Sequence, residues 1–346
     1  MAKEPVITQQ LDDLVVMKLP NPMFTYPYEP GLASLVLYEH YEDKFDVIFV
    51  LYNMTRREAI SRGLRDWGAV AHVSNYVEGI GVPSFTKSKR FGSDGRLKIV
   101  VRLITRNGLL FGPSLHSLIH AWTIGEVIPT MHPGHWGFSS VHGQLGGFNR
   151  EELKDLGDGK YSAGRFGLIG NFGNTIPYSP LELYLAGWLP SEDVPEILVA
   201  IDAVFIEGEE GQERDEEGNP IFKSEGFETI TIDEIIEILG PRNPAVGEAR
   251  DALQAAVILL EDEGNEVTPK VVDEVRNTIQ LFSATEDIRP ENTSSELINF
   301  WMATGGRATI TMDGLDDLQL PKDKESEETQ PSSEEAPTAH QGISLP

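Results

Sequence analysis

The stretch 111–148 reads FGPSLHSLIHAWTIGEVIPTMHPGHWGFSSVHGQLGGF and holds five of the chain's eight histidines: His116, His120, His132, His135 and His142. Leu115, Leu118, Ile119 and Trp122 recur at helical spacing around the first two. On a helix, residues i and i+4 share a face one turn apart, so His116 and His120 can reach a single cation together. If that cation is zinc, each imidazole stands about 2.0–2.1 Å from it. The zinc-protease signature HExxH carries a glutamate in second place, where it serves as general base. Here the five residues are HSLIH, and that place is Ser117. The pattern keeps two metal ligands and omits the proton acceptor. A serine hydroxyl holds a water but takes no proton near neutral pH, and loss of a general base typically costs about 10²–10⁴ in rate. No GxSxG elbow surrounds any serine, which argues against a serine hydrolase.

A peptidase-type zinc site needs a third protein donor and an open fourth position. Three residues are available. Glu182, 62 residues after His120, lies in YSPLELYLAG, where Ser179–Pro180 opens a helix and Gly187 closes it. It is the preferred donor. His135, 15 residues after His120 in the turn Pro133-Gly134-His135-Trp136, is the alternative. Glu126 stands where the pattern HExxHxxGxxH has its last histidine, but Thr123 replaces the glycine that lets the chain leave the helix. Trp136, Tyr184 and His142 are assigned to the walls of the substrate cleft, and His132 to a loop over it.

The rest of the composition narrows the chemistry. With no cysteine among 346 residues, disulfides and thiolate sites are excluded, and any metal must sit on His, Asp or Glu. A net charge of −27 repels a phosphate backbone, so nucleic acid is not an expected partner. An apolar content of 40% describes a soluble globular chain, and no apolar run approaches the roughly 20 residues of a membrane span. The start, MAKEPVITQQLDD, lacks the basic and apolar regions of a signal peptide. A cytoplasmic location is expected, or a secreted one if an export signal has been removed. No pattern in the chain sets an oligomeric state.

Five parts are expected along the chain. Residues 1–44, rich in proline at their start, read as an N-terminal extended arm. Residues 45–206 form the core, with strands at 45–52, 97–104 and 197–206 and helices at 114–122 and 180–186; 55–67 is a helix or an irregular connection. Ser114 is the expected cap of the first helix. Residues 207–220 (EGEEGQERDEEGNP) read as a solvated acidic loop without calcium-ligand spacing. Residues 221–317 read as a small αβ part packed on the core. Its elements are a helix at 231–239 capped by Thr231 and Glu234, a strand at 255–260, helices at 269–282 and 294–303, and a last strand at 307–312. Residues 318–346 read as a disordered acidic tail.

Further motifs occur in a fixed order: NYVEGIGVP (75–83), FGSDGRLKI (91–99), HWGF (135–138), GGFNREELKDLGDGKY (146–161), YSPLELYLAGWLPSEDVP (178–195) and TGGRATITM (304–312). Together with HSLIH they resemble a bacterial family of zinc metallopeptidases. That family has an HELGH-type helix, preceded by segments like NDVQGIGLP and FGSAGRLQG and followed by an HW-aromatic turn and YSPLDLYLMGL. The resemblance covers roughly 45–312. It implies a zincin-like α+β fold, a mixed sheet with the active-site helix beneath it, and Zn²⁺ held by His116 and His120. The departures are Ser117 for the family's glutamate and Ile119 for its glycine. The expected function is a zincin-fold, metal-binding pseudo-peptidase with impaired or lost proteolysis, binding a peptide or protein in the former substrate cleft. The alternatives are an active zinc peptidase whose base is another carboxylate, such as Glu126 or one of 151–155, and a metal-free structural or interaction module.

Overall fold

The computed structural model describes residues 4–20, 30–64, 68–171, 173–208, 211–289 and 296–321. The apolar run near residue 50 becomes a strand, Val47–Tyr52, buried along its whole length. Its alternate residues leave on opposite faces: Val47, Phe49 and Leu51 enter one core, Ile48, Val50 and Tyr52 another. A strand with no polar face belongs inside a sheet covered on both sides. The main sheet has seven strands: β1 (Val6–Gln10), β2 (Val15–Lys18), β3 (Val47–Tyr52), β4 (Gly68–His72), β5 (Ile99–Leu103), β6 (Ala252–Glu261) and β7 (Thr309–Thr311). Their order is β1-β2-β6-β3-β5-β4, and β7 pairs with the start of β6. The inner strands run parallel, with Phe49 opposite Val257 on one side and Val101 on the other. β1 and β4 are antiparallel additions at the two ends.

Helices cover both faces, and the arrangement is α+β, as expected. On the Ile48 face lies α1 (Pro30–Tyr38), with Ala33, Val36 and Leu37 in the core beside Phe45 and Phe91. On the Phe49 face lie α2 (Ser114–Ile119), α3 (Pro180–Ala186) and α4 (Pro269–Ser283). α4 starts where Thr268 accepts the Val271 amide and Pro269 fills the first turn. Its stripe Val271, Val275, Ile279 and Phe282 faces the sheet, and Phe282 meets Phe49 edge-on at 6.0 Å. A smaller aromatic core of Phe138, Phe148, Phe166 and Phe222 lies under the strands Lys160–Ala163 and Ile221–Lys223.

Several boundaries differ from expectation. The N-terminal 44 residues are not an extended arm: they supply β1, β2 and α1, and Val15 to Met17 are fully buried. Nor is 221–317 a small part packed on the core. β6 lies between β2 and β3, so the chain's late segment forms the middle of the sheet that its early segments begin. The acidic stretch 207–220 is a ribbon rather than a free loop. Glu207–Gly208 pairs with Gly211–Gln212, Arg214 bridges to Pro220, and Glu213 and Glu217 pair with Lys160 and Lys154. Residues 318–321, the start of the tail expected over 318–346, lie on the body, with Gln319 bridged to Tyr41, while 322–346 lie outside the described residues. Among the described residues, no helix is long and apolar enough to cross a membrane.

Candidate metal centre

α2 carries His116 in its middle and ends at His120, which still has helical backbone angles, so the one-turn spacing survives although the helix is short. Ser114 does not cap it. Its hydroxyl donates to Leu109 O, and the Leu115 amide donates instead to Oδ1 of Asn174 at 3.1 Å. Asn174 also donates to the carbonyls of Leu109 and Leu110, so a residue 59 positions downstream holds the start of the helix. At the other end, His72 on β4 donates through Nε2 to the His120 carbonyl at 3.0 Å, tying the edge strand to the helix.

After Trp122 the chain folds back. Gly134 has φ +72, and a Cβ there would fall 2.2 Å from Thr123 O, so only glycine lets the turn close this tightly. The fold-back brings His135 to the pair. The ring centroids of His116, His120 and His135 form a near-regular triangle, 5.0, 4.9 and 5.6 Å on its sides. One candidate ligand nitrogen from each of the three lies within 4.8 Å of the others. The triangle borders a cleft of about 840 Å³ whose walls include Ser117, Gly68 to Val70 and Ile169 to Asn171. A second groove of about 630 Å³, between Met131 and Val204, brings together no imidazole and only Asp202 and Glu228 as ionisable groups.

Each ring is oriented from behind. Nδ1 of His116 lies 3.0 Å from Gln144 O, that of His120 3.4 Å from Thr123 O, and that of His135 3.3 Å from Pro133 O. A carbonyl only accepts, so each Nδ1 carries the proton and each Nε2 keeps its lone pair. Burial pushes the His116 imidazolium down to about 4 and that of His120 well below its ordinary value, with the neighbouring rings adding to the effect. Burial lowers His135 as well. The three are neutral at physiological pH, the form that binds a metal.

Glu182, the preferred third donor, is not with them. It is fully buried, and both its oxygens are occupied: Oε1 accepts from Trp136 Nε1 (2.8 Å) and Leu145 N (2.9 Å), Oε2 from Gln144 N (3.1 Å) and Ser179 N (2.8 Å). Burial raises its pKa, while its N–H donors favour the ionised form. Its work is structural. It fastens Trp136, the residue after His135, and Gln144, whose carbonyl orients His116. Trp136 and Tyr184 are core residues, 1% and 5% exposed, rather than cleft wall. His142 sits in a left-handed turn (φ +49) and is not among the residues lining the cleft. His132, Glu126, Glu151, Glu152 and Asp155 are exposed and outside the cleft lining too.

Sequence reading missed the polar residues that hold the site together: Gln144, Asn171 and Asn174. Asn171 donates to the carbonyls of Gly143 and Gly147 and accepts from Gly167, stapling two glycine loops behind the triad. The signal available was an amide side chain inside each glycine-rich stretch, GQLGG and GNFGN, where backbone groups lack regular partners. No family model matches the chain, and neither a curated protein nor a solved structure matches it.

Proposed function

We propose that this is a zincin-like, metallopeptidase-related protein that holds Zn²⁺ on His116, His120 and His135 and binds an extended peptide without cutting it efficiently. The observation that carries the reading is the orientation of the triad. Three half-buried, neutral imidazoles converge while each Nδ1 is engaged by a backbone carbonyl, the outer-sphere arrangement typical of histidine ligands. Three imidazoles with an open fourth position are a known zinc donor set, and the open side here faces the cleft. A bound zinc supplies Lewis acidity. The chain's own residues supply binding and orientation, but at 117 a hydroxyl in place of the carboxylate that would accept the proton. β4, an antiparallel edge strand beside α2, offers a backbone edge for an extended peptide. The helix under a mixed sheet and the order of motifs along the chain support a zincin-like ancestry.

Metal analysis after zinc loading and desalting tests this. We expect one zinc per chain, and at least about 100-fold weaker binding in each of His116→Ala, His120→Ala and His135→Ala, since even outer-sphere losses cost 10–100-fold. Full stoichiometry in His135→Ala, or no zinc in the parent chain, overturns the assignment.

A further inference from the structure

We infer that the cleft is a receptor for a carboxylate presented on an extended peptide, the triad-bound cation and the Ser117 hydroxyl receiving the carboxylate and the edge of β4 receiving the peptide backbone. This rests on the metal-site reading above and specifies what the open position takes.

The first ground is charge. Imidazoles coordinate as neutral donors, so a divalent cation held by His116, His120 and His135 keeps its full charge; a set of two histidines and one carboxylate would leave half of it. Glu182, the acid that would have made that set, is turned away with both oxygens occupied. The other residues lining the cleft, among them Ala69, Val70, Pro113, Ile169 and Asn171, are uncharged. A dipositive centre in such surroundings favours an anionic partner at close range.

The second ground is Ser117. It lines the same cleft from the turn between the two helix histidines, and its Oγ lies against Gly68, where a Cβ would fall 2.0 Å away. A glutamate at 117 would place a negative charge beside an incoming carboxylate. Serine removes that repulsion and adds an O–H donor. The exchange that removes the peptidase base thus suits reception of an anion.

The third ground is the strand. β4 pairs with β5 from Gly68–Leu103 to His72–Ile99 and stands last in the sheet order. Its residues are half-buried, and Gly68, Ala69 and Val70 lie on the cleft wall beside the triad. An edge strand pairs with an added peptide through the backbone. The chain's net charge of −27 works against a strongly acidic peptide, so the fitting ligand is neutral or basic overall with one carboxylate.

The test loads the full chain with Co²⁺, whose visible absorption reports its coordination. Four probes are titrated: a hexapeptide with a free C-terminal carboxylate, its C-terminal amide, the amide with one internal glutamate, and the same with glutamine. Either carboxylate probe should bind about 10-fold or more tightly than its neutral counterpart and shift the cobalt band, as a charge-assisted contact implies. Which probe does so tells a chain terminus from an acidic side chain. The preference should vanish in metal-free protein and fall in Ser117→Glu. Cobalt bound by the triad, with carboxylate and amide probes binding alike and the band unmoved, overturns this inference and leaves the metal site standing. A band shifted as strongly by acetate as by any peptide overturns the role of β4. A chain that takes up no cobalt overturns both readings.

Discussion

At position 117 the chain presents a hydroxyl to the cleft that the three imidazoles border. If the absent base is what limits hydrolysis, Ser117→Glu should gain chelator-sensitive peptidase activity on casein by about 10² or more, within the 10²–10⁴ usual for a general base. Ser117→Gln, similar in shape but unable to accept a proton, should gain nothing. Equal activity in the two variants sinks the account, as does chelator-sensitive hydrolysis by the parent chain at the rate of Ser117→Glu. The imidazoles give a second test, in metal-free protein. His116 has a folded pKa near 4, below its unfolded value of about 6.5, so the folded state binds fewer protons than the unfolded one. The stability it contributes is complete above pH 6.5 and is lost as the pH falls towards 4, by at most about 3 kcal/mol. Urea midpoints measured with chelator should drop between pH 7 and pH 5, and drop less in His116→Gln; equal slopes would remove His116 as the cause. The two helix histidines were legible in the sequence because their spacing is a local, one-turn relation. His135 was legible only as an alternative, since its approach depends on Gly134 closing against Thr123.

The elements around the site show how a carboxylate can be misread. Ser179 and Glu182 are three apart, and S-x-x-E before an apolar run is the capping-box pattern. In the structure Ser179 N donates to Glu182 Oε2, and Glu182 N donates to Ser179 Oγ, a capping box. The same spacing at Thr231 and Glu234 makes a capping box too, and the helix Ile232–Leu239 begins there. At 182 the same spacing serves a cap as well as it serves a metal donor, and spacing alone does not separate the two. Burial settles its role, and burial depends on how α3 packs under the loop that carries His135. Glu182 is thus a positioning residue, linked to His116 through Gln144 and to His135 through Trp136. Glu182→Gln leaves the shape but replaces one acceptor oxygen with an NH₂ donor that faces N–H groups. It should weaken zinc binding about 10–100-fold, as outer-sphere changes do, while the three imidazoles remain. Calorimetric zinc titration checks this, and near-ultraviolet circular dichroism should report the freed Trp136 ring. Unchanged affinity with a displaced Trp136 would separate the loop from the site and refute the positioning role.

On the scale of the whole molecule, the sheet closes around a strand that arrives late in the chain. Within ALQAAVILLE the apolar run 255–260 was legible as a strand, but the strand itself runs four residues longer, from Ala252 to Glu261. Its partners were not legible: parallel neighbours need no turn between them, so nothing local marks β2 and β3 as the strands that flank it. Ala255 to Leu260 are each fully buried, Leu259 between Val16 and Leu51 and Ile258 between Val15 and Val50. A fragment ending before β6 therefore exposes the inner edges of β2 and β3 and strips both cores of their shared centre. The segment 45–206 carries every residue of the candidate metal centre, so a division of the chain there would predict that it folds and binds zinc by itself. The sheet order predicts the opposite. Fragments 45–206 and 1–250 should show no cooperative urea transition and no stoichiometric zinc uptake, while 1–321, which ends with the described body, should show both. Supplying 251–321 in trans should restore a cooperative transition to 1–250, because β6 brings its own partner β7 and the covering helix α4. A cooperative melt of 45–206 alone would mean that the core is complete without its central strand, and the three-layer account of the fold would fail.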